Sequence, residues 1–206
     1  MRKFIAGLVM GTALATAPMM AQAETPKNAL VMAFAIDDII TLDPAQIFEF
    51  SGAEYAGNTY DRLLVGNDLT AEDAAFSLQR VILLDQSPAF ILGQFGFTAE
   101  NVKEKIYAKD DSTLVMEVDK PYAPSFVLYC LTAGVGAVVD KEEVLAHEVD
   151  GDLGHEWLKT NYAGSGPFKL NKWTAGESLS LTANEDYWDG APAMKRVIIQ
   201  SVKEAA

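Results

Sequence analysis

The sequence has very few of the residues that form disulfides or hold structural metals. Among its 206 residues there are one cysteine, Cys130, and two histidines, His147 and His155. A single thiol forms no internal disulfide, so packing must hold the fold together. The histidines lack the spacing of a chelating pair and are expected on a solvated acidic helix and the loop after it. We therefore expect no metal and no cofactor, and a Cys130 that acts as a small buried hydrophobe.

Motifs for phosphate binding or nucleophilic catalysis are also missing. No Gly-x-x-x-x-Gly-Lys-Ser/Thr occurs, and no Gly-x-Gly-x-x-Gly follows an apparent strand. Ser165 lies between Gly164 and Gly166, but a hydrolase elbow needs glycines two positions away, where Ala163 and Pro167 stand. We interpret this stretch as a turn whose backbone amides are open to a ligand, and we expect no catalytic residue. A secreted hydrolase with Ser165 as nucleophile is kept as the least favoured alternative.

Positive charge is scarce as well. Lys and Arg number 16 against 29 Asp and Glu, which gives a formal net charge of −13. So acidic a chain repels phosphate backbones and anionic membrane surfaces. Nucleic acid is therefore excluded as an expected partner.

The first residues have the pattern of an export signal. Arg2 and Lys3 precede a mostly apolar stretch over 4–20, and Ala21-Gln22-Ala23 supplies a small-x-small cleavage site. The sequence thus predicts a signal peptide over residues 1–23 and a periplasmic location. No cysteine stands at the cut, so we expect no lipid anchor.

Apolar runs and amphipathic segments alternate along the rest of the chain, which predicts an α/β fold. Ser51 and Thr70 are the expected caps of two of the helices. Trp173, Tyr187 and Trp188 can each bury a large apolar area, and Tyr187 and Trp188 are expected to lock a late hairpin onto the sheet. The predicted strands cover 29–36, 135–139, 166–173, 178–183 and 197–202, the helices 51–64, 71–84, 125–131 and 141–149, and a hairpin 103–120.

Two pairs of carboxylates attract attention. Asp110 and Asp111 are expected to be solvated loop residues. Asp37 and Asp38 directly follow the first buried strand, and α/β sheets bind ligands at the carboxyl ends of their strands. For this second pair a ligand site and a solvated loop both stay open.

Several motifs, in this order and spacing, resemble the family 5 extracellular solute-binding proteins, the peptide-binding components of ABC importers. They are Thr41-Leu42-Asp43-Pro44-Ala45, Tyr60-Asp61-Arg62-Leu63, Leu69-Thr70-Ala71-Glu72-Asp73, Gly164-Ser165-Gly166-Pro167-Phe168, Trp173, Gly176, Leu179, Leu181, Asn184, Tyr187-Trp188 and Gly190-Ala191-Pro192.

This resemblance implies a type II periplasmic-binding-protein-like fold, in which two α/β lobes close on a solute and deliver it to a membrane permease without chemistry. It also implies a main lobe over 24–68 and 161–206, with a smaller α+β subdomain and the return to the main lobe over 69–160. The implied ligand-binding residues are Asp37, Asp38, Ile39 and Ile40, together with Phe90, Phe95 and Phe97.

The chain also departs from that family in two ways. A strand-rich segment usual before the Leu-Thr-Ala-x-Asp motif is missing, because Gly66-Asn67-Asp68 runs directly into Leu69. The sequence stops where a second lobe would begin, so we expect the first lobe only, with exposed apolar surface and weak binding. Peptides, nickel complexes, glutathione and sugars all stay open as solutes, and an exported structural or chaperone-like protein is the main alternative.

Overall fold

The apolar runs build two sheets in the computed structural model, which describes residues 25–61 and 69–202. The larger sheet contains β1 (Ala29–Phe34), β4 (Phe168–Thr174), β5 (Ser178–Ala183) and β6 (Arg196–Ser201), and its order is β1-β6-β5-β4. β1 runs parallel to β6, whereas β5 pairs antiparallel with both β6 and β4. The hairpin of β2 (Ile106–Asp110) and β3 (Thr113–Met116) forms the second sheet. A mixed α/β fold is thereby confirmed, while the predicted signal peptide lies outside the described residues.

Seven helices accompany the strands within the described residues, and several are short. They are α1 (Phe50–Thr59), α2 (Ala71–Leu84), α3 (Phe90–Gly93), α4 (Val102–Lys105), α5 (Pro124–Leu131), α6 (Lys141–Ala146) and α7 (His155–Leu158), with 3-10 turns at Ser87–Ala89 and Gly134–Gly136. No helix in these two stretches of chain has the length and apolar character that a membrane span requires.

The cap predicted for α2 is confirmed, and the cap predicted for α1 is wrong. Thr70 Oγ1 accepts from the Asp73 amide, and the Asp73 carboxylate accepts from the Thr70 amide, which closes a capping box. α1 instead starts at Phe50 with Glu49 at its N-cap position. Ser51 is buried inside the first turn, where its hydroxyl donates to the Ala35 carbonyl.

The strand predicted over 135–139 is also wrong. This run is buried, as its apolar character suggests, but a 3-10 turn occupies its start. The Val138 amide donates to the Asp61 carbonyl, and the Val139 amide donates to Ser77 Oγ. A buried apolar run therefore meets a loop and a helix here instead of a neighbouring strand. The helix predicted over 141–149 is shorter and ends at Ala146.

Two hydrophobic clusters form the core. The first lies between the larger sheet and α1, and the second lies between α2, the β2–β3 hairpin and α5. α2 contributes to both, with Phe76 in the first cluster and Leu78 in the second. Cys130 is only partly buried at the border of the second cluster. The discontinuous main lobe and inserted subdomain stay a prediction.

The glycine turn before β4 is packed against the end of α1, so the Gly166 amide is not open to a ligand as expected. The Gly166 amide donates to the Thr59 carbonyl at 3.1 Å. A Cβ added to Gly166 would lie 2.5 Å from the Thr59 carbonyl carbon. Asn184 Nδ2 donates to the Gly166 carbonyl at 3.1 Å from the other side. The turn therefore joins the β4–β5 hairpin to α1.

The three aromatic residues in and after this hairpin differ in whether they pack against the rest of the fold. Trp173 packs against the first core cluster, and Tyr187 donates from its hydroxyl to Asp61 Oδ1 at 3.1 Å. Burial and the nearby Asp61 carboxylate raise the pKa of Tyr187. Trp188 is about half exposed, so the expectation that it locks the hairpin by burial is wrong.

Gly166→Ala is predicted to lower the free energy of unfolding by about 1–3 kcal/mol, because the new methyl group overlaps the α1 backbone. Gly57→Ala is the matched control, since no atom lies within 4 Å of its added Cβ and the residue is helical; it should be neutral or slightly stabilising. Urea denaturation measures both variants. Equal destabilisation of the two, or none in Gly166→Ala, would contradict the packed turn.

Candidate functional site

The carboxyl ends of β1 and β6 meet at one edge of the larger sheet, because the two strands are parallel and Phe34 is paired with Ser201. Asp37 and Asp38 form an exposed turn just beyond this edge. Asp38 Oδ2 accepts from the Ser51 amide at 3.4 Å, so its carboxylate lies at the start of α1. This is the place where ligands bind in open α/β sheets.

The two isoleucines after this turn point in different directions. Ile39 is buried in the first core cluster, whereas Ile40 is largely exposed. Asp37, Asp38 and Ile40 can therefore be reached from solvent, and Ile39 serves the core.

The three predicted phenylalanines separate in the same way. Phe95 and Phe97 lie in the second core cluster, where protein covers their rings. Phe90 is exposed and meets the ring of Phe48 edge to face, with ring centres 5.9 Å apart. The exposed aromatic residues of this region therefore include Phe90 but not Phe95 or Phe97.

Phe48 contacts Phe90, and Phe50 follows two residues later as the exposed first residue of α1; the sequence analysis missed both. The exposed fractions are 62% for Phe48, 94% for Phe50 and 61% for Phe90. We call these three residues the aromatic face. The sequence does contain a sign that these rings are exposed, the Phe-Glu-Phe stretch at 48–50. This stretch has no helical periodicity of its own, and it follows the turn that holds the two aspartates.

The two segments of sequence that carry the aromatic face contain no positively charged residue. Residues 28–61 include Asp37, Asp38 and Glu49 but no lysine or arginine, and residues 87–98 contain no charged residue. An exposed apolar surface next to unneutralised carboxylates suits a ligand that combines an apolar group with a positive one.

A buried ion pair holds the segment that displays these residues. Asp43 is fully buried and accepts from Arg80 Nη1 at 2.7 Å and from Arg80 Nη2 at 2.6 Å. The Ala45 amide donates to Asp43 Oδ1 at 2.9 Å, and His155 Nδ1 lies 2.7 Å from Asp43 Oδ2. Burial alone would raise the pKa of Asp43, but the bonds from Arg80 and His155 outweigh it and lower that pKa.

The same ion pair reaches two further elements. Arg80 lies on α2, and its Nε donates to the Leu153 carbonyl just before α7 at 2.7 Å. The segment between β1 and α1 is therefore fastened to α2 and α7 at one point. His155 was expected on a solvated loop; it is largely buried instead, because it completes the shell of hydrogen bonds around Asp43.

Ser165 has the contacts of a positioned turn residue. Its hydroxyl donates to Asp61 Oδ2 at 2.9 Å, and Asp61 also accepts from Tyr187. Of the two histidines, His155 contacts Asp43 and His147 stacks on Trp157 with ring centres 4.1 Å apart. In the part of the chain that the structure describes, no cluster of His, Cys, Asp or Glu is arranged to hold a metal ion.

Comparison with known families assigns the chain. The profile described as "Bacterial extracellular solute-binding proteins, family 5 Middle" matches residues 66–206. The chain belongs to the family 5 extracellular solute-binding proteins. The resemblance drawn from the sequence motifs is thereby confirmed.

Curated family 5 relatives are named for peptide binding. One from Escherichia coli K12, "Probable D,D-dipeptide-binding periplasmic protein DdpA", is 32% identical over 141 residues, which cover 68% of this chain and 25% of that protein. The oligopeptide-binding protein AppA of Bacillus subtilis is 28% identical, with coverage of 68% and 24%. The chain therefore spans about a quarter of the length of these relatives.

Solved family 5 structures share the fold. The murein tripeptide binding protein MppA of Escherichia coli superposes with a TM-score of 0.68 at 21% identity, over 86% of this chain and 42% of MppA. The protein DppA of Helicobacter pylori, in complex with the peptide STSA, gives a TM-score of 0.63 at 20% identity, with coverage of 84% and 42%. The architecture is that of the type II periplasmic binding proteins.

Asp43→Asn is predicted to lower the free energy of unfolding by about 3–5 kcal/mol at neutral pH, because it leaves the Arg80 charge buried without a counter-ion. The measurement is urea denaturation at several pH values. Glu185→Gln is the control, since it removes an exposed ion pair with Lys195 and should change little.

The contribution of Asp43 to the free energy of unfolding changes with pH in a defined direction. The pKa of Asp43 is lower in the folded chain than its ordinary value of 3.8. Its contribution to stability is therefore complete above about pH 5, falls as the pH nears the unfolded value of 3.8, and is lost as the pH falls through the folded pKa. The difference between wild type and Asp43→Asn should shrink as the pH falls below about 5. A difference that keeps growing as the pH falls below about 5 would contradict an ionised Asp43.

Proposed function

We propose that this chain is part of the substrate-binding component of an ABC importer, which captures peptides or similar small solutes in the periplasm and delivers them to a membrane permease. The observation that carries the proposal is the aromatic face beside Asp37 and Asp38 at the carboxyl ends of β1 and β6. Family membership and the peptide-binding names of the relatives support it.

The aromatic face has the properties of a surface that a ligand covers. An exposed phenylalanine leaves apolar area in water, and burying a ring of about 150 Å² gives roughly 4 kcal/mol before entropy losses. The edge-to-face arrangement of Phe48 and Phe90 limits the freedom of both rings. A ligand side chain that packs on them would therefore meet a surface that is largely ordered beforehand.

We assign the ligand contacts to Asp37, Asp38 and Ile40 on one side and to Phe48, Phe50 and Phe90 on the other. Of the residues expected from the family resemblance, Ile39, Phe95 and Phe97 would support this surface from the core. Their burial in the two core clusters is consistent with that role.

The proposed surface is one wall of a binding site. Binding sites usually enclose most of a small ligand's surface, and a single wall leaves the ligand wet on its other side. The described chain is therefore expected to bind peptides more weakly than about 100 µM. In the longer proteins of this family, a facing wall would supply the remaining contacts.

Export and domain division belong to the same proposal. Residues 1–23 would direct the chain to the periplasm, as the periplasmic names of its relatives support. The main lobe would consist of 24–68 and 161–206, and 69–160 would form the smaller subdomain and the return to the main lobe. The chain would act without catalysis and without a cofactor.

A chaperone-like function is the second candidate, because α5 also exposes apolar side chains. Phe126, Leu128 and Tyr129 are all exposed on this helix. Clusters of this kind bind other proteins in some cases. Capture of unfolded clients through α5 would favour this candidate over solute binding.

The peptide site can be tested by NMR titration of the isotope-labelled protein with di- to pentapeptide mixtures at millimolar concentration. We expect amide shift changes at residues 37–40, 48–51 and 90, and a loss of at least about threefold in affinity for Phe90→Ala, which removes one ring of the edge pair.

Tyr129→Ala is the matched control, because it removes an exposed aromatic ring on α5. It should leave peptide binding unchanged. Shift changes confined to α5, or abolished by Tyr129→Ala but not by Phe90→Ala, would contradict the proposed site. Affinity tighter than about 1 µM would contradict its description as a single wall.

A further inference from the structure

β1 forms an open edge of the larger sheet. Among residues 25–61 and 69–202, β1 is hydrogen-bonded to β6 on one side, and no strand pairs with its other side. Leu30 is 42% exposed and Val31 is 40% exposed, although strands in parallel pairs are normally covered. Within these described residues, one row of backbone amide and carbonyl groups on this strand therefore has no strand partner.

The opposite edge of the sheet is formed by β4, which is protected against pairing with another chain, whereas β1 is not. β4 carries Lys169 and Lys172, and its register shifts between Leu170 and Lys172. Charged side chains and irregular register are the usual devices that prevent edge strands from pairing with other chains. β1 has neither device, because Ala29–Phe34 contains no charged residue and pairs with β6 in unbroken register.

The two ends of β1 carry opposite charges. Lys27 precedes the strand, and Arg196 is paired with Ala29 at the same end. Asp37 and Asp38 follow the strand at its other end. All four side chains are exposed. Antiparallel pairing of two identical β1 strands would bring each basic end against an acidic end, whereas parallel pairing would bring like charges together.

We propose that the open edge of β1 pairs antiparallel with β1 of a second copy of this chain. The larger sheets of the two copies would then form one continuous sheet. The two-fold axis that relates them would pass close to Val31 and Met32, at the middle of the strand. Such a contact is self-complementary, as closed two-fold symmetry requires. The charge pattern favours this occupant, because an identical strand in antiparallel orientation necessarily matches both ends in reversed order.

The dimer should be weak, because one strand edge buries less area than a standard interface. Sedimentation velocity of the purified protein from about 5 to about 500 µM should show a shift from monomer to dimer, and the shift should weaken at high salt. Val31→Lys places a charge on the exposed edge and should raise the dissociation constant at least about tenfold.

Leu128→Lys is the matched control, since it adds the same charge at an exposed position on α5. It should leave the dimer unchanged. Lys27→Glu leaves β1 itself intact and should also weaken the dimer, and adding Asp37→Lys to it should restore association by exchanging the two charges. This pair of variants decides the question even if Val31→Lys does not fold.

A protein that stays monomeric over the whole concentration range would overturn the proposal. A dimer that is unaffected by both Val31→Lys and Lys27→Glu would also overturn it, because association would then use another surface. A dimer that Leu128→Lys disrupts would place the interface on α5.

Discussion

The buried ion pair between Asp43 and Arg80 is the constraint on which the arrangement of this chain depends. Asp43 lies between the aspartate turn after β1 and the aromatic residues before α1, while Arg80 lies in the middle of α2. Four hydrogen bonds to one carboxylate replace the water that burial removes. Because the pair joins the segment between β1 and α1 to α2, it positions the proposed wall of the binding site relative to the rest of the fold.

The glycine turn and the aspartate turn show how differently two loops can be used. Gly166 packs so closely against α1 that any side chain at this position would overlap the Thr59 backbone. Asp37 and Asp38, by contrast, remain exposed at the sheet edge, together with the rings of Phe48 and Phe90. Gly166 thus serves packing within the fold, whereas the exposed residues at the sheet edge form the surface that the proposed function assigns to a ligand.

Features with a local cause could be predicted from the sequence, and those with a distant cause could not. The cap at Thr70 and the hairpin over 103–120 follow from neighbouring residues, so their existence was correctly predicted. The partner of Asp43 is 37 positions away on α2, and nothing near Asp43 indicates it. Phe95 and Phe97 lie in the same aromatic stretch of sequence as Phe90, and nothing in that stretch distinguishes them. Tertiary packing alone decides that Phe95 and Phe97 are buried. The sequence therefore predicted the segments of the proposed site, but which of their side chains reach solvent depended on the tertiary structure.

The central claim is that the segment from Asp43 to Phe50 is held in place before any ligand arrives. Hydrogen exchange of the Ala45 and Ile47 amides in the unliganded protein tests this most directly, since these amides donate to the Asp43 side chain and the Asp43 carbonyl. An anchored segment predicts exchange as slow as that of β5 in the core of the sheet. Exchange close to the rate of an unstructured peptide would contradict it and would mean that the wall forms only when a ligand binds.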